Sequence, residues 1–239
     1  MNPRVYIMLK LLFFSLLLLF ATSANASGVA RFKGMDGGKP YTLSLEYIDQ
    51  TTSRIDMDAK SDTAGYLLFN NRQAQIVSSY QGNTLVMDLA SMNQMAQSLG
   101  VMKMLGIDSE TLLVHVINMK ATGKKETVAG IVGEVYKINW SRNNVKHQDE
   151  LVLSRSPLAW EYTAAWIDAI DVISKASPSI DIKGDELMTK VKKGKLGILR
   201  FGSQFQLVSA KSKIINPARF VAPDTSFNIP GLSDLLGNL

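Results

Sequence analysis

The chain is predicted to be mainly β, an α+β protein in which a curved antiparallel sheet carries helices on one face. Its first half alternates apolar and polar residues at period two. Turn signals recur about every ten residues, the spacing of a meander. Two long amphipathic segments interrupt the strands instead of alternating with each of them, which argues against a parallel α/β fold.

Residues 1–26 read as a cleaved export signal. Arg4 and Lys10 give a positive start, residues 11–21 (LLFFSLLLLFA) form an apolar run, and Ala24-Asn25-Ala26 is a small-x-small cleavage site before Ser27. That run, at about 1.5 Å per residue, falls short of a bilayer core of roughly 30 Å, which favours a leader over an anchor. The expectation is a periplasmic protein released after Ala26, with residues 27–239 as a single domain. Losing Arg4 and Lys10 lowers the formal net charge from +5 to +3. So small a charge is a poor match for nucleic acid, which needs a dense basic stripe. The absence of cysteine excludes a disulfide framework, a thiol nucleophile and a thiolate metal site. In an oxidising compartment, stability must then come from packing and sheet hydrogen bonds.

From the mature start, Tyr41, Leu43, Leu45 and Tyr47 point one way, and Thr42, Ser44 and Glu46 the other. Ile55, Met57 and Ala59 repeat the pattern against Arg54, Asp56, Asp58 and Lys60. Such strands have one wet and one buried face. More strands are expected over 66–70, 74–80 and 84–89, separated by turns at Asp49-Gln50, Asn70-Asn71 and Gly82-Asn83. At Ser91 the period changes: Met92, Met95, Leu99, Met102 and Leu105 recur at helical steps, with Ser91 as N-cap and Gly106 as the stop. Strands return over 112–122 and 127–140, joined at Gly123-Lys124-Lys125, and again over 149–155. A second helix starts with Ser156 as cap and Pro157 in its first turn, and presents Leu158, Tyr162, Trp166, Ala169, Ile170 and Ile173. A shorter helix covers 185–193, strands follow over 196–201 and 205–212, and an extended tail runs over 220–230.

Several of these stretches carry a family likeness. QAQIVSSYQGNTLVMDL (73–89) runs directly into the Met-rich helix, and ETVAGIVGEVYKI (126–138) follows it. The chain closes on residues 197–201, 206–209 and Phe220-Val221-Ala222-Pro223. Together they resemble a family of uncharacterised exported bacterial proteins related to the outer-membrane lipoprotein carrier superfamily. The sharpest element is the Val128-Ala129-Gly130 turn followed by Val135-Tyr136. The resemblance spans most of the mature chain and implies an incomplete antiparallel β-barrel closed by helices, with a hydrophobic cavity for acyl chains. Family members often carry a cysteine near the position of Gly133, where this chain has none. No arginine here is matched to the cavity arginine of the true carriers.

Enzyme motifs are missing: H-E-x-x-H, S-x-x-K, G-x-S-x-G and a phosphate loop do not occur. The two histidines, His115 and His147, have no partner at ligand spacing. Asp56 and Asp58 share a strand face, but the wet one. Lys190, Lys192, Lys193 and Lys195 form a basic cluster that anionic headgroups would attract, although acidic residues open and lysines end that helix as its dipole favours. The methionines concentrate around one helix, and flexible thioethers suit variable apolar ligands as well as ordinary cores.

The predicted function is therefore non-enzymatic: binding of an apolar or acyl-containing ligand, in the manner of a lipid or lipoprotein carrier. Leu43, Leu45, Met57 and Leu67 are the expected wall, Met92, Met95, Leu99 and Met102 the expected lid, and Trp166 the expected rim. No cofactor, catalytic residue or metal is assigned. Expected partners are a lipid, acyl chain or lipoprotein and a transient envelope or membrane-surface contact, with no nucleic acid. The alternative is an envelope structural or interaction protein with a fully packed core.

Overall fold

The computed structural model describes residues 27–36, 38–57, 65–80, 83–91, 115–142, 145–176 and 186–224. The leader, the run from Met92 through Gly106, and the tail beyond 224 lie outside these residues. Among the described residues eleven strands make one curved, open antiparallel sheet. They are β1 (Gly28–Asp36), β2 (Lys39–Tyr47), β3 (Ser53–Met57), β4 (Gly65–Asn70), β5 (Gln73–Tyr80), β6 (Asn83–Asp88), β7 (His115–Val128), β8 (Ile131–Arg142), β9 (Val145–Ser154), β10 (Gly197–Phe201) and β11 (Phe205–Ser212). Among the described residues the long helices are α1 (Pro157–Ala176) and α2 (Glu186–Gly194), and residues 89–91 are also helical. Strand order is β6-β5-β4-β3-β2-β1-β11-β10-β9-β8-β7. Two meanders, β1 to β6 and β7 to β11, thus meet where β1 pairs β11, and β6 and β7 are the outer edges.

Local chemistry fixes the hairpins. Asn71 and Arg72 (φ 49 and 64) turn β4 into β5, and Ala129 and Gly130 (φ 51 and 79) turn β7 into β8. Two consecutive positive φ values match the right-handed twist of the flanking strands. The turn expected at Gly123-Lys124-Lys125 is instead a bulge within one long strand. Ala121 pairs Tyr136 and Lys125 pairs Glu134, so Thr122, Gly123 and Lys124 oppose Val135 alone. The Thr122 hydroxyl donates to the Val135 carbonyl (2.7 Å) and accepts from the Lys124 N–H (3.1 Å), supplying partners that the broken ladder lacks. The cap at the end of β6 also moves: Asp88 Oδ1 accepts the Ser91 N–H at 2.8 Å, so Asp88, not Ser91, fills the capping role. β9 starts at Val145, four residues before the expected start, which places His147 in a strand.

α1 lies on the concave face and touches β1, β2, β5, β10 and β11. It is buried on more of its circumference than one stripe. Tyr162, Ala165, Ala169 and Val172 join a cluster with Phe32, Leu45, Phe69 and Leu207, while Ile167 joins a second with Ile138, Trp140, Leu151 and, from α2, Val191. Small residues let the helix come close: a Cβ on Gly197 would run into the backbone of Ala159. Register shifts between Ile198 and Arg200, and there α1 supplies partners, Tyr162 Oη donating to the Ile198 carbonyl (2.9 Å) and Thr163 Oγ1 accepting its N–H (3.0 Å).

Beyond β11 the chain crosses the opposite face of the sheet. A 3-10 turn, Pro217–Phe220, buries Phe220 and sets Arg219 Nε on Glu46 at 2.5 Å. Arg54 pairs Asp56 (2.6 Å), its guanidinium 3.5 Å above the Tyr66 ring. Asp56 is therefore an ion-pair partner on the outer face, in keeping with its wet-face reading.

Candidate functional site

The concave face is built by strand register. A single cross-strand row runs Ala210, Ala30, Leu45, Ile55, Leu67, Ile76, Met87 over β11, β1, β2, β3, β4, β5 and β6. Its neighbours are Leu207, Phe32 and Leu43 on one side, and Gly28, Tyr47, Ser53, Phe69 and Ala74 on the other. Every second residue is apolar because alternate side chains share a face. From Ala30 towards β6 burial falls along the row: Ala30 and Leu45 are fully covered and Ile55 nearly so, whereas Leu67, Ile76 and Met87 are only half-buried.

Under α1 the trough is filled with aromatic rings. Phe32 stacks on Phe205 (4.6 Å between centroids), meets Tyr162 edge-on (5.5 Å) and lies 6.2 Å from Trp166. Such pairs add about 0.5–1.5 kcal/mol each beyond their burial. Leu45 belongs to this packed centre. Leu43, Leu67 and Trp166 are half-buried at its margin, so three of the expected lining residues meet one apolar cluster from its exposed side. Met57 holds the register position opposite Leu43. Met92, Met95, Leu99 and Met102 lie outside the described residues. Sequence reasoning missed Phe32 and Phe205, the two rings that stack at the centre. Phe32 belonged to a strand with too little contrast to be read, and Phe205 opened a strand read only for its length.

Polar groups enter this interior sparsely. The Tyr47 hydroxyl is buried without a hydrogen-bond partner. Burial first, and then the nearby Glu161 carboxylate, hold that phenol well above the usual tyrosine range. Burial also pushes Glu161 up, and pushes up Tyr162 beside Tyr47. On α1, burial and then the charge of Asp171 raise Asp168, whose Oδ2 is buried and unpartnered. At the other end of the sheet, burial and the hydrogen bond to Glu134 (2.7 Å) push Tyr136 up to about 12, and Lys190 of α2 sits 4.7 Å over its ring.

A different region carries a second cluster of charge. Arg200 binds Glu126 through two hydrogen bonds (2.9 and 2.6 Å) and Glu150 through a third (3.0 Å). Beside it opens a pocket of about 550 Å³ lined by Lys137, Gln148, Asp149, Glu150, Arg200, Gly202 and Ser203. Asp149 accepts from the buried Trp140 indole at 2.9 Å. Among the described residues no group of three or more His, Asp or Glu side chains is placed to hold a metal, and no helix is long and apolar enough to cross a membrane. A scan against protein-family models, a search of curated proteins and a search of solved structures each found no match for this chain.

Proposed function

We propose that this is a periplasmic, non-enzymatic carrier that holds an apolar or acyl-containing ligand against the concave wall of an incomplete barrel. The observation behind the proposal is the burial gradient along the cross-strand row, from fully covered Leu45 to half-buried Leu67, Ile76 and Met87. An apolar shelf continuous with a packed core offers ligand carbons a wall already desolvated on one side. Burying a ten-carbon chain there gains roughly 8 kcal/mol gross at about 0.8 per methylene; ordering costs take the net below the roughly 8 kcal/mol that micromolar binding requires, so such a chain binds more weakly than micromolar and longer acyl chains bind tighter. Trp166 and Leu43 border the same margin, and the resemblance to the lipoprotein carrier superfamily points to the same ligand class.

The test is native mass spectrometry of delipidated protein incubated with fatty acids and with acylated lipoprotein. One-to-one adducts, weakened when Leu67 and Ile76 are both changed to Ser, support the carrier. Clean apo spectra across the series reject it. The filled aromatic centre under α1 favours a second reading, an envelope interaction protein with a solid core. Under that reading spectra stay clean and a stoichiometric protein partner is recovered instead.

A further inference from the structure

The hairpins on one rim of the sheet do not end level. β10 stops at Phe201, opposite Leu151, while Val145–Asp149 of β9 run on, paired among the described residues with β8 alone. The last bond from the shorter hairpin is the Gly202 N–H to the Glu150 carbonyl, 2.8 Å. Hydrogen-bonding direction alternates along a strand, so an outward Glu150 carbonyl makes Gln148 and Lys146 outward as well. The sheet therefore has a step about 16 Å long, at roughly 3.3 Å per residue, that exposes main-chain donors and acceptors beside the charged pocket.

We infer that this step is a self-docking surface, on which the β9 overhang of one molecule pairs antiparallel with that of a second copy about a two-fold axis through His147. The edge is self-complementary. That register sets Lys146 opposite Gln148 of the second copy and the reverse, giving four main-chain hydrogen bonds, and it sets Val145, 57% exposed, beside Asp149 of the second copy. The overhang is one strand of a formed hairpin, so little ordering is required. An amide ladder already crosses the sheet to this edge: Asn139 Nδ2 donates to Asn118 Oδ1 (3.0 Å) and Gln148 Nε2 to Asn139 Oδ1 (3.2 Å). It ends at Gln148, where the ammonium of Lys146 of the second copy meets the amide oxygen. The pocket carries Lys137 and Arg200 against Asp149 and Glu150, so its charges cancel and do not repel a like surface. The outer edge strand β7 differs: Lys120, Lys124, Lys125 and its bulge guard it against pairing.

The chain has no cysteine, so His147→Cys introduces a single thiol. His147 takes a non-hydrogen-bonded position on the axis, where Cα atoms approach to about 4.5 Å, within disulfide range. Mild oxidation is expected to yield a disulfide dimer from His147→Cys and none from Lys211→Cys, an exposed position on β11. Sedimentation should show a concentration-dependent dimer whose dissociation constant rises at least tenfold in Gln148→Pro, which removes an outward N–H and no bond to β8. A chain that stays monomeric at its highest soluble concentration, a dimer untouched by Gln148→Pro, or equal cross-linking of both cysteine variants overturns the inference. Should Gln148→Pro misfold, the cysteine pair decides alone.

Discussion

Tyr47 and Glu161 are where single side chains matter most. The Tyr47 ring belongs to the core, but its hydroxyl is buried without a partner. An unsatisfied buried hydroxyl costs about 1–3 kcal/mol, so Tyr47→Phe should stabilise the fold by about 1 kcal/mol in chemical denaturation. Glu161 gives a pH signature. Burial raises its pKa above the ordinary 4.5, so the folded chain holds that proton more tightly than the unfolded one. Stability should fall as pH rises from about 4.5 through the raised folded value, Asp168 acting in the same direction. Urea midpoints measured across that window should flatten in Glu161→Gln, and an unchanged slope would refute the assignment. None of this was legible beforehand. Alternation placed Tyr47 on the inner face, but only the packing of α1 brings Glu161 beside it.

Among the elements, turns and helix contacts make the sharpest claims. Ala129 occupies a left-handed position that Asn fills more comfortably, so Ala129→Asn should raise stability by about 0.5–1 kcal/mol, read from the thermal midpoint. Gly197→Ala should cost about 1–3 kcal/mol, because the added methyl collides with Ala159 and lifts α1 off β10. Strands with strong contrast, such as Tyr41 to Tyr47, were readable from alternation alone. β1 was not: its covered face is Gly28, Ala30, Phe32 and Gly34, where three small residues leave little hydrophobic signal. The Gly123 misreading has a similar cause, since a left-handed glycine between polar residues looks the same in a hairpin and in a bulge. For α1, sequence showed one stripe where packing uses nearly the whole helix. A helix held between two clusters needs no wet face along most of its length.

For the molecule as a whole, the antiparallel class and the curved sheet over helices were legible in strand spacing. Strand order was not, because no local signal says that the first and last strands of the domain are neighbours. That adjacency has a further consequence. β1 is made before every other described strand, yet the strand that completes its pairing lies at least 173 residues further along (Lys33 pairs Gln206), and contacts so distant in sequence are slow to form. Until then the amino-terminal meander presents an uncapped ribbon at the future middle of the sheet, open to rogue pairing with any extended chain nearby. A version ending before Phe205 should therefore precipitate or be digested even though it retains both helices. In this architecture the closing stitch comes last, and the polypeptide needs shelter until it is made.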